Sequence, residues 1–380
     1  MSFAVNDFKC FDGLADARRL RSFLPMVETE RTYLGCYPWQ FNFLIHDLFS
    51  NIKFLRVLSF YGYLDLREVP DSVGDLKHLH SLDFSWTMIG KLPDSICLLY
   101  NLLILKLNYC LRLEELPLNL HKLTKLRCLE FKNTAVTKMP MHFGELKNLQ
   151  VLNMFFVGRN SKLSTRQLGG LNLHGRLSIN EVQNIVNPLD ALEVFLKNKH
   201  LVDLELKWKW DHIPDDPRKE NNVLENLRPS KHLEGLSISS YCGTQLPSWL
   251  LDNSLSNLVF LWLENCRYCL CLPSLGVLSS LKTLRIGGFD GIVSIDAEFY
   301  GSSSSSFLSL ERLEFENMKE WEEWECKTTS FPSLQHLWIN HCPKLKGVSE
   351  QLLRLKDLFI GECEKLIISE TSRTYRRLNS

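Results

Sequence analysis

Three cysteines within six residues are the side chains in this sequence best placed to do chemistry. Cys266, Cys269 and Cys271 follow a Cys-x-x-Cys-x-Cys pattern, and cysteine thiolates at short spacings are common ligands of zinc. Structural zinc sites, however, are usually closed by four ligands, and this segment supplies only three. The cluster therefore raises a metal-site hypothesis that the surrounding sequence has to decide.

The leucines around these cysteines favour a structural role for them. Cys266 lies three residues after Leu263, as Cys110 lies three residues after Leu107. In leucine-rich repeats this position takes a small side chain that packs at the turn after each strand. Cysteine or threonine occupies the equivalent position at Cys342, Cys363, Thr87 and Thr134. We therefore predict a ladder of structural cysteines, with no metal site and no cofactor.

The sequence contains none of the common catalytic or phosphate-binding motifs. There is no phosphate-binding loop, no G-x-S-x-G, no H-E-x-x-H and no G-x-G-x-x-G, and the eleven histidines have no recurring acidic or nucleophilic partner. Lysine plus arginine equals aspartate plus glutamate at 44 each, so no net field attracts nucleic acid or an anionic membrane. We predict that the protein is not an enzyme and binds no nucleic acid.

The sequence also predicts a cytoplasmic location. The first residues do not combine a charged region with the apolar run of a secretory signal, and no apolar run is long enough to span a bilayer. No N-x-[ST] glycosylation sequon occurs either. We therefore expect a reducing environment, twelve free thiols and no membrane insertion.

Pairs of apolar residues of the form L-x-L recur along the chain and predict short strands with both apolar residues on one face. The spacings between the first five pairs are 24, 23, 24 and 23 residues, within the range of leucine-rich repeats. In the first repeats, an apolar residue followed by proline lies between one strand and the next. This pair ends the extended segment and precedes a predicted short helical or 3₁₀ turn. The thirteen pairs begin at Leu58, Leu82, Leu105, Leu129, Leu152, Leu177, Leu204, Leu236, Leu261, Leu284, Leu313, Leu337 and Leu358.

Residues 158–235 have longer connections between strands but keep the pattern. Asn187-Pro188 predicts a helix start, with Leu189, Leu192, Phe195 and Leu196 on one face. Residues 211–220 are polar, contain two prolines and are interpreted as an exposed loop. Because the strands follow one another in unbroken order, a single continuous solenoid is preferred over two domains.

The predicted fold is an α/β solenoid, a leucine-rich-repeat horseshoe with a parallel β-sheet on its concave face and irregular or short helical segments on its convex face. Residues 1–49 form an irregular lead-in, with a possible degenerate first repeat at residues 18–25. Regular repeats follow at 50–157, longer irregular repeats at 158–235, further repeats at 236–368 and a polar tail at 369–380.

The middle residue of each L-x-L pair points out of the predicted concave face, since its neighbours point in. Aromatic and charged residues at these positions are candidates for binding a partner protein, because Trp and Arg dominate interface hot spots. Intramolecular cover by loops is the alternative for the aromatic residues, and Trp208 lies two positions beyond its own pair. The candidates are Asp83, Lys106, Glu130, Glu205, Trp208, Trp262, Arg285, Glu314, Trp338 and Phe359.

Several segments together resemble plant nucleotide-binding leucine-rich-repeat disease resistance proteins of the coiled-coil type, in their leucine-rich-repeat region only. The resemblance covers about residues 8–368. A distinctive block runs from Gly175-Arg-Leu-Ser-Ile179 through Asp190-Ala-Leu192 to Leu204-Glu-Leu-Lys-Trp208. The other segments include Leu92-Pro-Asp-Ser-Ile96, Pro247-Ser-Trp249, Cys271-Leu-Pro-Ser-Leu-Gly276, Trp321-Glu-Glu-Trp324 and Cys342-Pro-Lys-Leu345.

The resemblance implies surveillance of pathogens inside the plant cell. Such a domain binds a pathogen effector or a guarded host protein and restrains a nucleotide-binding switch, supplied in cis or in trans. The switch and its phosphate loop are missing from this sequence, so the resemblance implies a truncated or partial receptor. A general repeat scaffold or a ubiquitin-ligase substrate adaptor is the alternative function.

Overall fold

The computed structural model describes residues 2–5, 20–25, 49, 52–251, 254–301, 306–326, 330–350, 352, 355 and 357–366. The chain divides into two compact units, residues 1–158 with 166–174 and residues 159–165 with 175–380. The predicted tail at 369–380 lies outside the described residues. The prediction of one continuous array over residues 50–368 stays a prediction.

The first unit contains a parallel sheet of seven short strands, whose order in space follows the chain. Leucine pairs with leucine in register, from Leu58 through Leu82 and Leu105 to Leu129 and Leu152. All five are fully buried, because alternate residues of a strand share one face. The strands are β1 (Ser2–Val5), β2 (Ser22–Pro25), β3 (Val57–Ser59), β4 (Ser81–Asp83), β5 (Ile104–Lys106), β6 (Cys128–Glu130) and β7 (Val151–Leu152), and β8 (Met154–Phe156) follows along the chain.

The second unit contains a longer parallel sheet, ordered β9 to β13 and then β15, β17 and β18, and a separate parallel pair of β14 with β16. The first leucine of every one of the thirteen predicted pairs lies in a strand. The predicted leucine-rich-repeat solenoid class is therefore confirmed. The strands are β9 (His174–Asn180), β10 (His200–Lys207), β11 (Gly235–Ser239), β12 (Phe260–Glu264), β13 (Thr283–Gly287), β14 (Ser294–Ile295), β15 (Arg312–Glu316), β16 (Glu323–Trp324), β17 (His336–Asn340) and β18 (Asp357–Gly361).

Short 3₁₀ turns lie between the strands, as the apolar-proline signature predicts. Pro70 precedes the turn Asp71–Asp75, and Pro93 precedes the turn Asp94–Leu98. In each case proline supplies the extended backbone before the turn, and the turn then buries an apolar side chain such as Val73. Further 3₁₀ turns are Leu120–Lys122, Phe143–Glu145, Val182–Asn184, Leu196–Asn198, Ser248–Leu250 and Leu275–Val277.

The helices are few and short. Asn187 caps the second of them, since its side-chain oxygen accepts a hydrogen bond from the amide of Leu189 at 3.2 Å, and this helix start was predicted. The predicted apolar face is wrong, however: Leu189 is 65% exposed, because this single turn directs Ala191 inward instead. Within the described residues, every helix is too short or too polar to cross a lipid bilayer. From residue 52 onward, the helices in the described part of the chain are α1 (Ser161–Gly169), α2 (Pro188–Leu192), α3 (Pro217–Asn226) and α4 (Ala297–Tyr300).

The interpretation of residues 211–220 as an exposed loop is wrong in its second half. Helix α3 begins at Pro217, where proline needs no amide donor, and the side chain of Asp216 accepts the amide hydrogen of Arg218 at 3.0 Å. Glu220 then falls on the inner side of the helix and is buried. An Asp-Pro pair that signals a turn in a loop here signals a helix cap.

Repeat structure extends into the predicted lead-in. Strand β2 lies within the predicted degenerate repeat and pairs in parallel with β3, with Phe23 opposite Leu58. Leu20 and Phe23 are buried. Strand β1 pairs in parallel with β2 and falls in a segment predicted to be irregular.

One backbone feature recurs just after most strands. The fourth residue after the first leucine of a repeat adopts a positive φ, which costs a non-glycine residue about 1 kcal/mol or more. The cost is accompanied by a bond to the next repeat: the amide of Trp86 donates to the carbonyl of Asn108 at 2.8 Å, and that of Asn265 to Gly287 at 2.8 Å. These residues, called here the left-handed positions, are Gly62, Trp86, Tyr109, Asn133, Glu181, Ser240, Asn265, Gly288, Asn317, His341 and Glu362.

Candidate functional site

Outward-facing side chains of the second sheet line up across seven strands. Each lies between two apolar residues, all of them buried except the half-buried Ile360, and the pairing register places it opposite its counterpart on the next strand. The geometry is the one that the L-x-L pattern predicts. This central column consists of Glu205, Ser237, Trp262, Arg285, Glu314, Trp338 and Phe359.

Arg285 connects two of its neighbours in the central column. Its guanidinium carbon lies 5.0 Å from the centroid of the Trp262 ring, within the range of a cation–π contact. Its Nε lies 2.5 Å from Oε2 of Glu314. The charge of Arg285 is therefore paired within the sheet, and the three side chains hold one another in place.

Trp338 and Phe359 end the column as a stacked pair. Their ring centroids are 3.7 Å apart and their planes are 14° from parallel. Trp338 nevertheless remains 42% exposed. A stacked but exposed tryptophan presents a large, rigid apolar surface to solvent.

Glu205 begins the column and is paired on its own strand. Its Oε1 lies 2.7 Å from Nζ of Lys207, two residues further along β10. The salt bridge satisfies Glu205 from the same face of the sheet, because residues two apart point to one side.

Trp208 does not lie on the exposed face, and its assignment there is corrected. It is only 4% exposed, because α3 covers it. Its indole Nε1 donates to Oε2 of the buried Glu220 at 2.7 Å, and its ring contacts Tyr241 edge-on at 5.0 Å. Burial raises the pKa of the Glu220 carboxyl, and hydrogen bonds from Trp208 and His212 oppose that rise. Trp208 thus anchors α3, which is the intramolecular cover considered as the alternative to partner binding.

In the first unit, Lys106 and Glu130 belong to one polar network, and Asp83 forms a separate hydrogen bond. Nζ of Lys106 lies 3.8 Å from Oε2 of Glu130, and Nδ2 of Asn108 donates to the same oxygen at 2.7 Å. Oδ1 of Asp83 accepts the amide hydrogen of Ser85 at 2.8 Å, which shapes the turn after β4. These partially exposed charges are satisfied locally.

Two aromatic residues at left-handed positions stack on each other just beyond the C-terminal ends of β4 and β5. The rings of Trp86 and Tyr109 lie 4.0 Å apart and are nearly parallel, at 12°. Both have a positive φ, which bulky residues rarely adopt. Phe156, which sits at the corresponding position of a later repeat, is buried instead.

The cysteine ladder is confirmed as a feature of the repeat turns. Sγ of Cys110 donates to the carbonyl of Phe84 at 3.1 Å, and the hydroxyl of Thr87 donates to the same oxygen at 2.8 Å. Cys342 and Cys363 similarly contact the carbonyls two residues before them, at 3.4 and 3.2 Å. Their shared task is to satisfy backbone groups at the turn.

The thiols of this ladder are poorly suited to chemistry. Burial raises the pKa of Cys110 in the ladder, and it raises the pKa of Cys242, a buried thiol outside the ladder, to about 12, so both remain protonated at neutral pH. A hydrogen bond between Cys342 and Cys363 raises the pKa of Cys342 and lowers the pKa of Cys363. Among the described residues, no group of three or more His, Cys, Asp or Glu side chains is arranged to hold a metal ion.

The sequence reasoning overlooked a second outward-facing line of residues beside the central column. Extending the period-two alternation by two residues identifies it, since the same side of the strand is reached again. This adjacent column contains two glutamates that flank a glycine. It consists of Lys207, Ser239, Glu264, Gly287, Glu316, Asn340 and Gly361.

Comparison with known sequences finds relatives over almost the whole chain. Residues 165–289 match the family described as R13L1/DRL21 LRRs. Disease resistance RPP13-like protein 1 of Arabidopsis thaliana is 43% identical over 390 residues, which cover 97% of this chain and 37% of that protein. Disease resistance protein RGA2 of Solanum bulbocastanum is 33% identical over 227 residues, which cover 59% of this chain and 22% of that protein. The chain thus spans well under half the length of these relatives.

Comparison with solved structures supports the fold. An LRR protein of Leptospira interrogans superimposes with a TM-score of 0.51 at 17% identity, covering 98% of this chain and 96% of that one. At this identity the likeness shows a shared leucine-rich-repeat architecture.

Proposed function

Because the chain belongs to the leucine-rich-repeat proteins of the plant disease resistance family, we propose that it is a non-enzymatic recognition module that binds another protein. The partner is a pathogen effector or a host protein that effectors target, and binding takes place in the cytoplasm. The binding surface is the outward face of the second sheet, centred on the central column.

The exposed stack of Trp338 on Phe359 carries this proposal. Trp338 keeps 42% of its surface open to solvent, and the register continues from it to Glu314 and Arg285 on the next two strands. Tryptophan and arginine are the residues that most often dominate the energy of protein interfaces. A rigid aromatic surface beside a paired charge loses little conformational entropy when a partner covers it.

We extend the proposal to regulation by a nucleotide-binding switch, supplied in cis or in trans, which the module restrains until a partner binds. Two observations support this extension: the resemblance of the repeat blocks to switch-containing receptors, and similarity to disease resistance proteins much longer than the matched region. Partner binding and restraint then use the same leucine-rich scaffold.

A two-hybrid screen against secreted pathogen proteins and plant proteins tests the proposal. A genuine partner should bind the wild-type chain and lose binding when Trp262→Ala and Trp338→Ala are combined. The matched control is Trp210→Ala, which removes a tryptophan that is 72% exposed and lies outside both columns. Circular dichroism should show that all variants keep their fold.

Two results would contradict the proposal. One is a partner that binds the double variant as well as it binds the wild type. The other is a partner that the Trp210→Ala control loses equally, because general surface hydrophobicity would then explain the binding.

A further inference from the structure

A small depression opens on the outward face of the second sheet, where the adjacent column reaches a glycine. It has a volume of about 30 Å³, and Gly287 and Gly288 lie in its lining. Both glycines are buried, so their neighbours form the walls. The missing side chain at Gly287 creates a gap one strand wide in an otherwise continuous column.

Two carboxylates face each other across this gap. Glu264 pairs in register with Gly287 on one side, and Glu316 pairs with it on the other. Since neighbouring strands lie about 4.8 Å apart, the backbones that carry the two glutamates are separated by roughly 9.6 Å. That separation leaves room for one cationic group between the two side chains.

No lysine or arginine in the described part of the chain forms a salt bridge with either of these two carboxylates. Neither Glu264 nor Glu316 has a side-chain hydrogen bond or salt bridge within the described part of the chain. The nearest candidates are engaged elsewhere: Arg285 pairs with Glu314, and Lys207 pairs with Glu205. Partial burial, followed by the charge of Glu316, raises the pKa of Glu264, and the charges of Lys207 and Arg285 oppose that rise.

The depression also has an aromatic wall. Trp262 lines it beside Glu264, and its ring, which Arg285 already contacts, can also pack against an aliphatic stem. Arg285 and Glu314 line the depression as an ion pair, and Asn265 and Asn317 add neutral polar groups. The three glutamates of the lining outnumber its one arginine, so its net negative charge suits an arginine or lysine side chain.

We propose that this depression, called here the Gly287 notch, receives an arginine or lysine side chain of the partner protein. The cationic group lies between Glu264 and Glu316, and the aliphatic stem lies against Trp262. The inference rests on the proposed function, because it assigns the chemistry of one contact on the same protein-binding face.

A small probe tests the notch without knowledge of the partner. N-acetyl-arginine-N-methylamide is titrated into the full chain labelled with ¹⁵N-tryptophan, and the indole resonance of Trp262 is followed. Trp262→Phe assigns that resonance. The neutral isostere N-acetyl-citrulline-N-methylamide is the matched ligand, and the Trp210 resonance is the internal control.

The arginine probe should shift the Trp262 resonance and leave the Trp210 resonance unchanged, and the citrulline probe should produce no shift. Combining Glu264→Gln with Glu316→Gln should weaken the response about tenfold or more, since two charge contacts are lost. The charge-matched control, Glu234→Gln with Glu311→Gln, alters carboxylates outside the notch and should respond like the wild type.

Three results would refute the proposal that the notch receives a cationic side chain. They are no shift of the Trp262 resonance, an equal shift with the citrulline probe, and a response to calcium chloride without a response to the arginine probe. If that happens while partner binding still depends on Trp262 and Trp338, only the inference fails. If the arginine response appears as described but partners ignore Trp262 and Trp338, the proposed function fails and the notch remains a cation site.

Discussion

The indole of Trp338 lies flat against the ring of Phe359, and on the same strand Leu337 points into the core. Of these two neighbouring residues, Trp338 lies on the outward face and Leu337 packs in the core. We predict that Trp338→Ala lowers the free energy of unfolding by only about 1 kcal/mol, the value of an aromatic contact. Leu337→Ala should cost about 2–5 kcal/mol through the cavity it leaves. Urea denaturation measures both, and equal losses would show that Trp338 is a structural residue.

Trp208 and Glu220 should be coupled through the single hydrogen bond between them. Trp208→Phe keeps an aromatic ring but removes the indole donor, so we expect a loss of about 1–3 kcal/mol because Oε2 of the buried Glu220 loses its partner. The pKa of Glu220 should rise further, because the hydrogen bond opposes the effect of burial. The deficit should therefore shrink as the pH falls through that pKa, since a protonated carboxyl needs less stabilisation.

Trp249→Phe is the matched control for this experiment. It removes an indole donor that serves a neutral carbonyl, that of Leu224 at 3.2 Å. The expected cost is about 0.5–1.5 kcal/mol with no dependence on pH. A pH-independent deficit in Trp208→Phe as well would contradict the coupling to Glu220.

Glu264→Gln should stabilise the unliganded protein at neutral pH. The folded-state pKa of Glu264 is raised above its ordinary value of 4.5, so its stabilising contribution is complete at low pH and is lost as the pH rises through the folded-state pKa. Burial and the charges of Glu316 and Glu205 cause the rise, against the opposing charges of Lys207 and Arg285. The glutamine variant cannot ionise, so it does not lose this stability as the pH rises.

Thermal melting at several pH values checks this prediction. The variant should melt above the wild type at neutral pH, and the difference should vanish below pH 4.5. Glu314→Gln is the control with the opposite sign, because it removes the carboxylate that pairs with Arg285. A lower melting temperature for Glu264→Gln at neutral pH would be inconsistent with the raised pKa of Glu264.

Cys110 should be replaceable by threonine. Thr87 occupies the equivalent position one repeat earlier, and its hydroxyl donates to the carbonyl of Phe84, the oxygen that Cys110 reaches from the following repeat. We expect Cys110→Thr to change the free energy of unfolding by less than about 1 kcal/mol, whereas Cys110→Leu should cost about 1–3 kcal/mol by overpacking a fully buried turn. Chemical denaturation of both variants decides this, and a severe loss in Cys110→Thr would show a need for sulfur.

Features that follow from the repeat period were predictable from the sequence. The alternation around Leu261 and Leu263 places Trp262 outward with no knowledge of the fold, and spacings of 25 and 23 residues bring its counterparts Ser237 and Arg285 to adjacent strands. The equivalence of Cys110 and Thr87 likewise follows from counting residues after a leucine pair. Local periodicity is therefore enough to predict the position of a side chain wherever the strands follow the same repeat.

Features that depend on contacts between distant segments were not predictable in this way. The burial of Trp208 requires α3, and the sequence of α3 is polar enough to suggest a loop until Asp216 and Pro217 are recognised as its cap. The Gly287 notch requires three strands in register, and no one of its residues is unusual alone. The positive φ of Trp86 contradicts the local preference of tryptophan and is imposed by the repeat.

The left-handed positions have a consequence for how such a protein changes over generations. At most of them the amide donates a backbone hydrogen bond to the next repeat, and the residues found there range from glycine to tryptophan. Because the cost in backbone strain is borne by the scaffold whatever the side chain, substitutions at these positions can alter the surface while the leucine framework stays the same. Random libraries restricted to these positions should therefore yield folded proteins with new specificities.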